Sequence, residues 1–242
     1  MIALLCAVRA EVEQILAAVT VSETKTVGSK SIFTGTLTGQ HVTVCIGGMG
    51  KVNAAHAATL LAQHKPEALV IFGVSGAYPS SGAKIGDIAL AKEEIFGDEG
   101  VLTPDGFKDT EFIGIPLVKS ATSVIYNTYP AAEAPLQHAI KTLVARQQAV
   151  ARDVHIGTFV TLSTCTGTSE RAIELEDRYH GLCENMEGAA AAQIAELYGV
   201  PWLEIRGISN IVEDRDLRKW DIPRATLAAQ QAVRLIIEGW AS

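Results

Sequence analysis

Apolar and polar positions along the chain follow two periods, and the periods trade places repeatedly. Residues 2–8 form a short apolar run and predict a strand. From 10 to 18 the spacing becomes helical, with Val12, Ile15 and Leu16 on one face. The runs SIFTGTL and HVTVCIGG, separated by Thr38, Gly39 and Gln40, predict a β-hairpin. After Gly47, Gly48 and Gly50 the segment KVNAAHAATLLAQH reads as a helix. ALVIFG, residues 68–73, reads as a buried strand ending in a Gly/Ser turn, and a further strand starts at Asp87. Residues 96–115 mix Gly, Pro and Asp without a period and predict a long loop. Beyond them come a helix over 135–148, the strand HIGTFVTLS, and the helix SERAIELEDRY with Ser169 as its N-cap. The helix MEGAAAAQIAELYG, closed by Gly199, the strand PWLEIRGIS and a helix over 225–240 complete the series.

Strands alternating with helices predict an α/β fold: a mixed, largely parallel sheet flanked by helices. With neither an internal repeat nor a linker, residues 1–242 are expected to form one unit. In such sheets ligands bind beyond the carboxyl ends of the strands, which directs attention to residues just after each apolar run.

Composition narrows the possibilities. Hydrophobic residues make up 48% of 242 and charged residues 19%, enough to build a real core and too apolar for disorder. A formal charge of −7, with no run of Lys and Arg, excludes a nucleic-acid backbone as the expected partner. Cys6, Cys45, Cys165 and Cys183 lack CxxC spacing, so they are expected to be small buried residues in a reducing compartment, with no metal bound. The apolar start meets Arg9 and Glu11 and reads as a first strand rather than a leader. No apolar run reaches membrane-spanning length, and a cytoplasmic protein is expected.

Five places carry candidate chemistry. GGMGKVNAA, residues 47–55, has glycines before a helix, which let backbone N–H groups approach an oxygen-rich ligand, although such a turn is more often just a tight strand–helix connection. It has neither P-loop spacing nor a dinucleotide fingerprint. In GVSGAYP, Ser75 and Gly76 offer backbone groups to a flat ligand, or simply make a turn. In ENMEGAAAA, Glu187 opens an Ala-rich helix and is able to accept from two vicinal hydroxyls, with Met186 beside it; a capping Glu and a core Met are the alternative. EIRGISN sets Arg206, Ser209 and Asn210 just after an apolar strand, and Glu11 lies a turn past the first strand.

Together AVRAEVEQIL, GGMGKVNAA, GVSGAYPSSGAKIGDIAL and ENMEGAAAAQIAELYGVPWLEIRGISN resemble the nucleoside phosphorylase and nucleosidase family, over nearly the whole chain. The resemblance implies a three-layer sandwich, a purine nucleoside substrate, no cofactor, and a homo-oligomer. It assigns Glu11 to the attacking water, Met186 and Glu187 to the ribose, and Arg206 to support of that site. It also puts Ser75 and Gly76 beside base and sugar, and Thr166 and Gly167 in a loop over the base. The methylthioadenosine/S-adenosylhomocysteine nucleosidases carry Asp after the serine, whereas this chain reads Ser209-Asn210, and they carry a serine where it has Val74. A carboxyl group suits an N6 amine beside a protonating N7; an amide donates to O6 and accepts from N7–H. Asn210 therefore points to a 6-oxopurine. SN with ENMEGAA and EEIFGDEG most resembles the branch that hydrolyses futalosine and releases hypoxanthine in menaquinone synthesis. Phosphorolysis, a 6-aminopurine nucleosidase and a non-catalytic nucleoside binder are the competing expectations.

Overall fold

A computed structural model of the chain describes residues 1–120 and 123–240, so the last two residues of the expected 1–242 unit lie outside the described residues. Ten strands form one sheet: β1 Ile2–Cys6, β2 Thr20–Val27, β3 Lys30–Leu37, β4 Gln40–Ile46, β5 Ala68–Ala77, β6 Ile88–Phe96, β7 Thr128–Pro130, β8 Val154–Thr161, β9 Gly181–Asn185 and β10 Trp202–Ile211. Their order is β7-β6-β8-β9-β5-β1-β4-β3-β2, with β10 paired to both β5 and β6. That double pairing closes β5, β10, β6, β8 and β9 into a ring. The sheet is mixed: β1 is parallel to β4 and β5, and β10 to β5, whereas β9 meets β5 and β10 meets β6 antiparallel.

Alternation along each central strand divides the core. On β1, Ala3 and Leu5 face one apolar cluster, and Ile2, Leu4 and Cys6 the other. On β5, Leu69 and Ile71 are divided in the same way from Val70 and Phe72. The eight helices described are α1 Glu13–Ala18, α2 Lys51–Ala62, α3 Thr110–Ile113, α4 Glu133–Ala145, α5 Gln147–Val150, α6 Ser169–Tyr179, α7 Gly188–Tyr198 and α8 Ile222–Glu238. α2 and α7 pack on the first face through alanines such as Ala57, Ala58, Ala191 and Ala195; α1, α4 and α8 cover the other. The result is the expected sheet between helical layers.

Several expectations need correcting. Residues 96–115 are not a bare loop: Val101–Thr103 pairs with Gly106–Lys108, and α3 follows with Asp109 accepting from the Phe112 N–H. Strands three residues long are too brief to generate a readable period. β2, TVSETKTV, is exposed throughout, so backbone pairing with β3 and not burial defines it. β5 and β10 run on past their apolar segments, so Ser75, Gly76, Ser209 and Asn210 lie within strands rather than after them. α6 is capped by Thr168, whose hydroxyl accepts from the Arg171 N–H at 3.3 Å, and Ser169 is its first helical residue. Cys165 is exposed, unlike the other three cysteines. Among the described residues no helix is long and apolar enough to cross a membrane.

Candidate active site

A cavity of about 200 Å³ opens where β1, β5, β9 and β10 end. Glu11 enters it from a single 3-10 turn, Arg9–Glu11, that folds back under β1. Glu11 Oε2 accepts from the Ala7 and Val8 N–H groups, each at 3.0 Å, and Oε1 accepts from the Val74 N–H at 3.0 Å. Only 4% of the residue is exposed. Burial pushes the carboxyl above its ordinary range, against the opposing pull of Arg206 and the backbone donors. A Cβ on Gly73 would overlap Glu11 Oε1 and come within 2.9 Å of Arg206 Nη1, so β5 passes beneath the acid only as glycine.

Glu187 occupies the N-cap position of α7 but does not cap it with its side chain. Its Oε1 accepts from the Gly50 N–H at 2.9 Å, and its Oε2 lies 3.4 Å from both Nη1 and Nη2 of Arg206. The Gly-rich turn thus presents an N–H to a carboxylate of the chain itself. Arg206, 2% exposed, also donates from Nε to Glu204 at 2.7 Å and from Nη1 to the Val74 carbonyl at 3.1 Å. Burial alone would lower its pKa, but Glu204, Glu187 and Glu11 together raise it, and the guanidinium stays charged.

Asn210 also lines the cavity. Its Nδ2 donates to the Ile211 carbonyl at 3.1 Å, and its Oδ1 accepts from the Ser209 hydroxyl at 2.8 Å. That orientation is chemically fixed, because a carbonyl at Ile211 requires the donor end of the amide. One N–H and one lone pair remain for a ligand. Gly76 is the register partner of Asn210 on one side and of Glu184 on the other, so the two side chains flank a floor without a side chain. The Ser75 carbonyl lies 3.0 Å from the same Ser209 hydroxyl and competes with Asn210 Oδ1 for its single proton.

Every residue singled out from the sequence lines this cavity except Gly167, whose carbonyl instead accepts from the Arg215 N–H at 3.2 Å. Thr166 lines the cavity, but its N–H and hydroxyl both donate to Glu184, at 2.8 and 2.6 Å. Burial raises the Glu184 carboxyl, and those two Thr166 bonds work against it. Met186 stands with its sulfur 3.4 Å from Cys165 Sγ. The sequence reading missed Glu184, Asn185, Met49, Cys165 and Trp220. Glu184 and Asn185 adjoin the singled-out pair on a strand that was not foreseen, whereas Trp220 follows a polar stretch and carried no signal. Among the described residues no group of His, Cys, Asp and Glu is arranged to hold a metal ion.

Comparison with known proteins places this geometry. The family model of the phosphorylase superfamily matches residues 1–238. A futalosine hydrolase of Thermus thermophilus is 33% identical over 194 residues, covering 78% of this chain and 78% of its own length. A 5'-methylthioadenosine/S-adenosylhomocysteine nucleosidase of Maridesulfovibrio salexigens is 30% identical, covering 89% of this chain and 87% of its own length. The crystal structure of such a nucleosidase from Neisseria meningitidis, in complex with methylthio-immucillin-A, superposes with a TM-score of 0.84 at 22% identity, over 98% of each chain. That similarity speaks for the fold. The chain belongs to the phosphorylase superfamily.

Proposed function

We propose that the protein is an N-ribosyl hydrolase that cleaves futalosine, releasing hypoxanthine and dehypoxanthinyl futalosine. The relatives named futalosine hydrolase support the substrate. The observation that carries the reading is the convergence of Glu11, Glu187 and the Asn210 amide on one cavity.

In this reading water attacks C1′ of an oxocarbenium-like sugar as the purine departs. Glu11 orients the water and takes its proton, for which its raised pKa makes it a better base than an ordinary carboxylate. Glu187, held by Gly50 and Arg206, accepts from the ribose hydroxyls, and Met186 packs on the sugar. The free N–H of Asn210 donates to O6 and its free lone pair accepts from N7–H, so the base is stabilised most as charge moves onto it. A neutral amide supplies no proton to N7, so the proton that N7 gains comes from solvent or from another group.

Two other reactions fit less well. An aminopurine nucleosidase needs an acceptor for N6, and Asn210 turns its free donor there; a polar mismatch of this kind costs roughly 10⁴-fold or more. Phosphorolysis needs a cation for the phosphate. Among the described residues lining the cavity, the cation is Arg206, already engaged by Glu204 and Glu187. Chromatography of the products from futalosine, with and without phosphate, tests the proposal. Hypoxanthine and the free sugar product at a phosphate-independent rate are expected. A ribosyl phosphate product, or binding without any hypoxanthine release over hours, would refute hydrolysis.

A further inference from the structure

Beneath the site lie two acidic residues that the proposed reaction does not use. Glu94 on β6 and Glu204 on β10 are both 0% exposed, and neither lines the cavity. A Cβ on Gly188 would overlap Glu94 Oε1 and Glu204 Oε2 together, so the two oxygens border the same atom-sized space. Glu204 Oε1 takes the Arg206 Nε–H, but its Oε2 has no protein N–H or hydroxyl to accept from. Glu94 Oε2 accepts from the Thr161 hydroxyl at 2.8 Å and Oε1 from the Asn185 amide at 2.6 Å. Two ionised carboxylates facing each other in a dry interior would repel strongly, and one buried oxygen would be left unpaired.

A single proton resolves both problems. We propose that Glu94 is held as a neutral carboxylic acid whose hydroxyl donates to Glu204 Oε2, and that it is a positioning residue for the sugar site. Glu204, kept ionised, fixes the Nε edge of Arg206, and the other edge of the same guanidinium meets Glu187 and the Val74 carbonyl. The chain Asn185–Glu94–Glu204–Arg206–Glu187 starts and ends in one motif, because Asn185 also accepts from the Glu187 and Gly188 N–H groups at 2.9 and 2.7 Å. Electrostatics agree on which partner carries the proton. Burial and then the Glu204 charge push the Glu94 carboxyl well above the usual range. Burial acts on Glu204 too, but there Arg206 is the first opposing influence. The functional consequence rests on the proposed role of Glu187; the protonation state does not.

The test has two arms. Infrared spectra of the substrate-free protein at neutral pH should contain a protonated-carboxyl band that disappears in Glu94→Gln. In kinetics, Glu94→Gln retains a neutral donor toward Glu204 and should keep kcat/KM for futalosine within about threefold. Glu94→Leu removes that donor and should lose about tenfold or more, mostly in KM, because a displaced Arg206 misplaces Glu187. A merely structural role would lower the yield or Tm of Glu94→Leu without altering kcat/KM per folded site. Persistence of the band in Glu94→Gln, or equal impairment of Gln and Leu variants, would overturn the proposal. If Glu94→Leu does not fold, the band and the Gln kinetics decide. If the wild type leaves futalosine intact, the proposed reaction falls and the infrared arm still decides the state of Glu94.

Discussion

At the scale of single residues, the site gives two acids different surroundings, and the proposed reaction gives them different tasks. Glu11 is wrapped by three backbone N–H groups and buried, whereas Glu187 meets one N–H and a guanidinium. As the proposed base, Glu11 works ionised. Glu11→Gln should therefore lower kcat by about 10²–10⁴-fold while leaving the Kd for futalosine nearly unchanged, as isothermal titration would read. Parallel loss of binding and turnover would remove Glu11 from the handling of water. The pH dependence follows from the direction of its shift. Burial raises the folded-state pKa, so protonation silences the base from a pH above the ordinary carboxylate range downward. The acid limb of kcat/KM should thus rise with pH across that elevated window and then level; a limb centred at an ordinary glutamate pKa would contradict the assignment.

At the scale of elements, the loop between β8 and α6 carries both an exposed thiol and a cap. Cys165 is the exposed one of four cysteines and lines the cavity beside Met186. Iodoacetamide should label Cys165 first and stop turnover. Futalosine should slow the labelling, and Cys165→Ser should make the enzyme resistant; mass spectrometry that finds Cys165 labelled at the same rate with and without substrate would place the loop outside the binding site. Thr168 closes the same loop by capping α6. Thr168→Ala should cost about 1 kcal/mol in urea unfolding; no measurable loss would remove Thr168 as the cap. Elements were legible where one face is buried and the period is sustained, as in α8 and the hairpin β3–β4, or where alanine dominates, as in α2 and α7. They were illegible where strands are exposed, as in β2, or polar and buried against a cavity, as in β9 and the last two residues of β10.

At the scale of the whole molecule, alternating strands and helices announced a covered sheet, but not its closure. The ring forms because β10 reaches both β5 and β6, a contact between distant segments that no local pattern records. Closure is also what gathers the site: β10 brings Arg206 and Asn210 alongside Val74–Gly76 of β5, while β9 brings Glu184 and Asn185 to the far edge of the same strand. The resemblance of short motifs named most cavity residues in advance. What it left out were the partners that hold them, such as Gly50 for Glu187, and the acid pair behind Arg206, because no spacing links residues 94 and 204.

The central claim is that an amide at position 210 selects the purine. The most direct measurement is the ratio of kcat/KM for futalosine to that for its 6-amino analogue, in the wild type and in Asn210→Asp. The account predicts a ratio of at least about 10⁴ in the wild type that collapses by two orders of magnitude or more in the variant. An unchanged ratio would mean that Asn210 does not read the base.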